Sequence, residues 1–236
     1  MIQNEMFTLQ FEHVPVNRII SDAVQIMSHQ AGQKNIQIDY TPLPRELIVK
    51  IDPLRVQQVL INLIQNAIKF TPEGKKITVF TQLSIEQLNQ NKYKLQVLVM
   101  DEGIGMSKDD LKKLFKPFFK SSSEENRAMN TGGHGLGLSI CKLLSEKLEG
   151  SLKVSSREGQ GTKIVFTFRS PVDEVAQYNK EIDPRKILQM RAKKQEKKNK
   201  FRSKDIVEPV LDRISERLDD ALSRESSEED EIEDTP

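Results

Sequence analysis

The sequence predicts an α/β fold in which helices pack on a layered sheet. Segments with helical periodicity alternate along the chain with short runs rich in β-branched and aromatic residues. The runs 152–154 and 163–168 flank a Glu-Gly-Gln-Gly turn signal at 158–161, which indicates a closing hairpin. Strands and helices interspersed in this way are typical of a sheet covered by helices.

The predicted helices carry recognisable end signals. Asp52 followed by Pro53 suits an N-cap with proline in the first turn, and this helix continues to Phe70 before a Thr-Pro-Glu-Gly turn. Gly150 is the expected C′ glycine of the last helix. We predict helices at 16–31, 53–70, 108–114 and 136–148, and strands at 36–40, 47–51, 77–83, 95–100, 152–154 and 163–168.

Polarity divides the chain into parts. Of its 236 residues, 36% are hydrophobic and 30% are charged, with a formal net charge of +1. Residues 16–170 are predicted to form the globular domain, after an N-terminal segment at 1–15. Residues 171–236 contain few apolar residues, with a basic stretch at 185–204 and an acidic run at 225–234. We expect this tail to be largely disordered.

One part of the tail, residues 206–222, has apolar residues at helical spacing. This amphipathic helix could dock on the domain, on a second copy of the chain or on a partner. The basic stretch before it could bind nucleic acid or acidic lipid. A solvated tail is the simpler interpretation, and we expect no nucleic-acid partner.

The cysteine count and the hydropathy pattern indicate the environment in which the protein folds. Cys141 is the single cysteine, which fits a reducing compartment, and its apolar helical pattern predicts a buried core residue. No apolar run is long enough to span a bilayer, and the first residues lack the pattern of a signal peptide.

The helix at 53–70 has two distinct faces. At about 100° per residue, Asn62, Asn66 and Lys69 lie together on one face. Amide oxygens suit Mg²⁺, and a lysine ammonium can meet phosphate. The alternative is an ordinary amphipathic helix with its polar residues in water, which the glycine motifs downstream disfavour. The apolar stripe predicted to pack on the sheet comprises Val56, Val59, Leu60, Leu63, Ile64, Ala67 and Ile68.

The sequence Asp-Glu-Gly-Ile-Gly at 101–105 follows an apolar strand. The carboxylate of Asp101 at the strand end can accept a hydrogen bond from the exocyclic amine of adenine. Gly103 and Gly105 let the backbone turn sharply and approach a ligand. A surface turn is the alternative, since Asp and Gly are common in turns.

The sequence Gly-Gly-His-Gly-Leu-Gly-Leu at 132–138 runs directly into a helix. Its backbone N–H groups can surround an anion at that helix N-terminus. It is neither a P-loop nor the dinucleotide fingerprint. The polar segment 116–131 is typical of a mobile lid. Lys120 and Arg127 are its candidates for reaching a terminal phosphate, with plain surface charges as the alternative.

The three histidines, His13, His29 and His134, share no ligand spacing. We therefore reject a zinc site and a catalytic triad.

Together these motifs resemble the ATP-binding catalytic domain of two-component sensor histidine kinases, most of all hybrid-type kinases, within the gyrase–chaperone–kinase–MutL (GHKL) ATPase group. The resemblance covers residues 7–170 and implies a two-layer α/β sandwich of the Bergerat type. Such a fold has a mixed, mainly antiparallel sheet packed against three helices, with a mobile ATP lid. Residues 52–71 resemble the N box of the family, 101–105 its G1 box, 114–119 its F box and 132–138 its G2 box.

The resemblance also implies roles for individual residues, with ATP and Mg²⁺ as cofactors. Asn66 is the Mg²⁺ ligand, assisted by Asn62, and with Lys69 it forms the catalytic pair. Asp101 binds the adenine amine, and Thr162 lies near it. The implied nucleotide-binding residues are Asn62, Asn66, Lys69, Phe70, Asp101, Gly103, Ile104, Gly105, Phe115, Lys120, Gly133, His134, Gly135, Leu136, Gly137, Leu138 and Thr162.

The implied activity is transfer of the γ-phosphoryl group of ATP to a protein histidine. Hydrolysing relatives carry a glutamate base where this chain has Asn62, so we expect transfer rather than fast hydrolysis. The helical hairpin that bears the phosphoacceptor histidine and makes the dimer is not in the sequence, and neither is a receiver domain. We therefore expect the histidine and a downstream response regulator to act in trans or to belong to a missing part of the protein, and the chain to be a monomer.

Two other functions stay open at this point. The chain could be a catalytically silent nucleotide-binding module that regulates a partner, or a phosphotransferase acting on serine. Only histidine transfer gives an acid-labile phosphoryl product. We expect a cytoplasmic location, either alone or as the soluble part of a longer membrane-associated kinase.

Overall fold

The computed structural model describes residues 8–86, 92–120 and 134–172. All the predicted helices and strands are present, and the four strands that form hairpins run further than their apolar runs indicate. In chain order the elements are β1 (Glu12–Pro15), α1 (Val16–Gly32), β2 (Gln37–Thr41), β3 (Ile48–Ile51), α2 (Pro53–Phe70), β4 (Lys76–Glu86), β5 (Lys92–Asp101), α3 (Lys108–Lys113), α4 (Gly137–Lys147), β6 (Ser151–Arg157) and β7 (Gly161–Pro171).

The main sheet has the strand order β2-β4-β5-β7-β6. β2 pairs in parallel with β4, and the other three pairs are antiparallel. Helices pack on this sheet as follows: α1 contacts β2, α2 contacts β5, the short α3 contacts β6, and α4 contacts β6 and β7. The predicted two-layer α/β architecture, with a mixed and mainly antiparallel sheet, is therefore confirmed.

A second, two-stranded sheet pairs β1 with β3 antiparallel. The sequence does not predict β1, because its four residues include Glu12 and His13 and show no apolar alternation. Contacts beyond the strand pair hold this small sheet. The N–H of Gln10 donates to Oδ2 of Asp52 at 2.9 Å, and the N–H of Lys50 donates to Oγ of Ser170 on β7 at 2.8 Å. The small sheet is thus tied to both α2 and the main sheet.

Helix α2 lies at the centre of the hydrophobic core. All seven residues of its predicted apolar stripe are buried. The predicted N-cap is also confirmed, since Oδ1 of Asp52 accepts a hydrogen bond from the N–H of Arg55 at 3.0 Å. Burial of an aliphatic side chain stabilises a fold by roughly 1.5–3 kcal/mol, so this stripe fixes how α2 is rotated on the sheet.

The C-terminal end of α4 differs from the prediction, which put Gly150 at C′. The left-handed residue is Glu149, with φ 55°. The N–H of Glu149 donates to the carbonyl of Glu146 (3.1 Å), and that of Gly150 to the carbonyl of Ser145 (2.8 Å), the pair of bonds that defines a Schellman end. Gly150 is needed for a different reason: an added Cβ would overlap the carbonyl oxygen of Thr167 on β7.

Cys141 is buried in the core, as predicted, and burial raises the pKa of its thiol to about 12. The predicted tail beyond Val172, with its helix at 206–222, lies outside the described residues. So do Arg127 and the greater part of the predicted lid. Within the ranges that the structure covers, no helix combines the length and apolarity needed to cross a membrane.

We expect Gly150→Ala to destabilise the fold by about 2–3 kcal/mol, because the new Cβ would force α4 and β7 apart. Gly32→Ala is the matched control, since nothing lies within 4 Å of an added Cβ there. Urea denaturation of both variants tests this. A Gly150→Ala protein as stable as the wild type would mean that α4 does not approach β7 this closely.

Candidate nucleotide site

The polar face of α2 brings together the two asparagines predicted to hold a cation. Nδ2 of Asn66 donates a hydrogen bond to Oδ1 of Asn62, one helical turn away, at 3.0 Å. Among the described residues no donor bonds to Oδ1 of Asn66, so this oxygen remains available as an acceptor. An amide oxygen in this state suits Mg²⁺, which takes few protein ligands and completes its shell with water and phosphate. The residues present therefore fit the ion.

The N-terminus of α4 abuts this face of α2. An added Cβ on Gly137 would lie 2.6 Å from Nδ2 of Asn62, so a larger residue there would displace that amide. The N-cap residue, Leu136, makes no side-chain cap bond to the first N–H groups of the helix. Helix N-termini favour anions, and this one lies directly beside Asn62.

The carboxylate of Asp101 ends β5 and is only 8% exposed. Its Oδ1 accepts hydrogen bonds from the N–H groups of Gly103 (2.9 Å) and Thr162 (3.0 Å). Its Oδ2 accepts none from the part of the chain that the structure describes. Burial raises the pKa of Asp101 to about 6, against the lowering effect of the two backbone bonds. One oxygen thus holds the protein backbone, and the other is available as an acceptor.

Thr162 lies beside Asp101, as predicted, but its backbone N–H and its hydroxyl group bond to different strands. Its backbone N–H donates to Asp101, while its hydroxyl is hydrogen-bonded to Oγ of Ser156 on β6 at 2.9 Å. The N–H, rather than the hydroxyl, is therefore the group that orients the carboxylate.

The Asp-Glu-Gly-Ile-Gly stretch is fastened to the end of α2. The N–H of Ile104 donates to the carbonyl of Phe70 at 3.2 Å. Gly103 lies against the same carbonyl, where an added Cβ would be 2.5 Å from the oxygen. On its other side, the carbonyl of Ile104 accepts a bond from the N–H of Gly159 in the β6–β7 turn (2.7 Å). Gly105 follows within this fixed stretch, so the predicted floor of the site is held from two directions.

Lys69 and Lys120, the two described lysines predicted to face phosphate, lie close enough to influence each other electrostatically. The pKa of Lys69 is lowered, first by burial and second by the positive charge of Lys120. Lys120 is exposed and lies on the chain after α3. Two ammonium groups close enough to repel each other create a local field that favours an anion between them.

The other predicted residues lie around this centre. The carbonyl of Gly135 accepts a bond from the N–H of Phe118 at 2.9 Å, which joins the second glycine run to the predicted F box. His134 is exposed. Phe115 and Leu138 pack against the core, and Nζ of Lys142 lies 5.3 Å from the Phe115 ring centre. Gly133 lies outside the described residues.

One residue at the site was missed in the sequence. Nζ of Lys34 donates hydrogen bonds to carbonyls at the C-terminus of α2. Lys34 is 34 residues from Ile68, its nearest such partner in sequence. No local pattern predicts a contact at this separation.

The family of histidine kinase-, DNA gyrase B- and HSP90-like ATPases matches residues 51–172. These residues hold α2, Asp101 and the start of α4. The chain belongs to this family. Its matched region is an ATP-binding catalytic domain of the sensor histidine kinase type, as the sequence motifs indicate.

Named relatives agree with this assignment. The chain is 33% identical over 168 residues to the sensor histidine kinase GacS of Pseudomonas protegens, covering 69% of this chain and 18% of that protein. It is 41% identical over 123 residues to the sensor histidine kinase WalK of Bacillus subtilis, covering 52% of this chain and 19% of that protein. The chain thus spans about a fifth of these relatives.

Solved structures are similar over the same region. The catalytic domain of histidine kinase ThkA superimposes with a TM-score of 0.54 at 28% identity, covering 69% of this chain and 99% of that one. Full-length ShkA in complex with AMPPNP gives a TM-score of 0.53 at 26% identity, covering 70% of this chain and 32% of that one.

The raised pKa of Asp101 predicts a pH-dependent stability. The folded state holds a proton on Asp101 up to about pH 6, whereas the unfolded chain releases it near pH 4. The unfolding free energy of the wild type, relative to Asp101→Asn, should therefore rise as the pH falls from 7 to 4, by about 2–3 kcal/mol. Urea denaturation of both proteins across this range measures the difference. A constant difference would mean that Asp101 has an ordinary pKa.

Proposed function

We propose that this chain binds MgATP and transfers the γ-phosphoryl group to a protein histidine supplied in trans or by another part of a longer protein. The observation that carries the proposal is the geometry of α2. Asn66 has its amide nitrogen bonded to Asn62 and its Oδ1 available, and Asn62 lies against Gly137 at the N-terminus of α4.

Different residues contact the base, the phosphates and the metal ion of MgATP. Oδ2 of Asp101 accepts the adenine amine, and Phe70 and the Gly103–Gly105 backbone line the base. Lys69 and Lys120 neutralise phosphate charge, and the first N–H groups of α4 surround it. Asn66, assisted by Asn62, holds Mg²⁺, which when bound supplies positive charge to the phosphate oxygens.

We expect the site to favour transfer over hydrolysis, because an asparagine stands where hydrolysing relatives have a base. Asn62 occupies the position of the glutamate that activates water in hydrolysing relatives. An amide does not take up a proton at neutral pH, and its Oδ1 already accepts the bond from Asn66. Phosphoryl transfer depends mainly on positioning and charge stabilisation, which asparagine, lysine and a metal ion can supply.

Exposed apolar side chains near the site support a protein substrate. Phe118 is 71% exposed, and Ile140 and Leu143, one turn apart on α4, are 41% and 53% exposed. Phe118 is tied to Gly135 at the start of the second glycine run. Large apolar side chains in water are typical of surfaces that bind other proteins. We propose that the histidine-bearing hairpin contacts them and that a response regulator then accepts the phosphoryl group.

The first test is calorimetry of MgATP binding by the wild type, Asn66→Ala and Gln65→Ala. Gln65 is an exposed neighbour on the same helix and serves as the control. We expect Asn66→Ala to weaken binding about 10- to 100-fold with Mg²⁺ present, since it removes the metal ligand. Gln65→Ala should bind as the wild type does. Equal binding by all three proteins would contradict the role of Asn66.

The second stage offers a separate histidine hairpin to the wild type with labelled ATP. An acid-labile, base-stable label on the hairpin histidine supports the proposal. MgATP binding without any transfer would favour a catalytically silent regulatory module, and an acid-stable label would favour serine phosphorylation. Either of these results overturns histidine transfer for this chain and hairpin.

A further inference from the structure

The C-terminus of α2 lacks a local cap for its last carbonyl groups. Its C-cap residue, Thr71, is extended (φ −96°, ψ 127°) rather than left-handed. Pro72 follows and has no N–H to donate. The bonds that end many helices through a left-handed glycine are therefore absent here, and these carbonyls need donors from elsewhere.

Lys34 supplies those donors from the turn between α1 and β2. Its Nζ donates to the carbonyl oxygens of Ile68 (2.8 Å), Lys69 (3.2 Å) and Thr71 (3.0 Å). An ammonium group has three N–H donors, and all three are directed at backbone. Its positive charge also meets the negative end of the helix dipole.

A neighbouring contact strengthens the connection between these two turns. Asn35 has a left-handed backbone, with φ 52°, and its Nδ2 donates to Oε1 of Glu73 at 2.5 Å. Consecutive residues of the α1–β2 turn thus bind consecutive parts of the α2–β4 turn. Two neighbouring residues, Lys34 and Asn35, therefore connect the α1–β2 turn to the end of α2 and to the turn that follows it.

The last turn of α2 carries the groups that face phosphate and base. Lys69 both belongs to this turn and gives its carbonyl to Lys34. Phe70 gives its carbonyl to Ile104 and so holds the Asp-Glu-Gly-Ile-Gly stretch. If this turn frays, the Lys69 ammonium moves and the floor of the site loosens with it.

We propose that Lys34 is a positioning residue of the nucleotide site, which fixes the last turn of α2 and thereby the Lys69 ammonium. Lys34 does not contact nucleotide itself, because its donors are bonded to backbone carbonyls. The inference rests on the proposed function, since it assigns Lys34 a role in MgATP binding.

The test compares Lys34→Met, which keeps the length of the side chain and removes its donors, with Lys34→Arg, which restores them. Lys75→Met is the matched control, because Lys75 is an exposed lysine of the α2–β4 turn. MgATP affinity is measured for each variant in the wild-type background and in a Lys69→Met background.

We expect Lys34→Met to weaken MgATP binding about 5-fold in the wild-type background. The loss should shrink below about twofold with Lys69→Met, because the group being positioned is already gone. Lys34→Arg should recover most of the affinity, and Lys75→Met should change nothing. An equal loss in both backgrounds would show a general structural role and overturn the inference.

Amide hydrogen exchange without nucleotide gives an independent readout. Lys34→Met should lower the protection of residues 67–70, and Lys75→Met should not. Unchanged protection overturns the inference. A wild type that binds MgATP while Lys34→Met binds equally well overturns the inference alone. A wild type that does not bind MgATP overturns the proposed function as well.

Discussion

Seven buried side chains hold one face of α2 against the sheet, and the positions of the site residues follow from that contact. A rotation of the helix by one residue would turn Asn62 and Asn66 away from the start of α4. Burial of the apolar stripe makes such a rotation costly. The two amides can then be held by a single hydrogen bond between them, because the backbone that carries them does not move. The proposed metal and phosphate contacts depend on this rigid face of the helix.

The two carboxylate oxygens of Asp101 have different roles, and one of them connects the end of β5 to neighbouring parts of the domain. Oδ1 satisfies two backbone N–H groups, one from the Gly103 turn and one from the start of β7. The carboxylate is largely buried, which is why the pKa of the group is raised, and Oδ2 accepts no bond from the described residues. The proposed adenine amine would supply the donor that Oδ2 lacks among the described residues.

Sequence predicts the parts of this structure that local patterns encode. The stripe of α2, its Asp52 N-cap and the strand before Asp101 depend on residues a few positions apart, and they are confirmed. The end of α4 was misplaced, because Gly150 is required by its contact with Thr167 in a distant strand. β1 was missed, because its pairing with β3 and not its composition makes it a strand. Lys34 was missed for a related reason: the helix end that it caps lies 34 residues away. The roles of the individual site residues stay predictions.

The central claim is that Oδ2 of Asp101 accepts a hydrogen bond from the exocyclic amine of adenine. Competition between ATP and inosine triphosphate tests this claim most directly. Inosine carries an oxygen where adenine carries the amine. The wild type should prefer ATP by at least about tenfold, or about 1.4 kcal/mol. Asp101→Asn should lose or reverse the preference, because its Nδ2 donor replaces the Oδ2 acceptor. Equal affinity of the wild type for the two nucleotides would contradict the account.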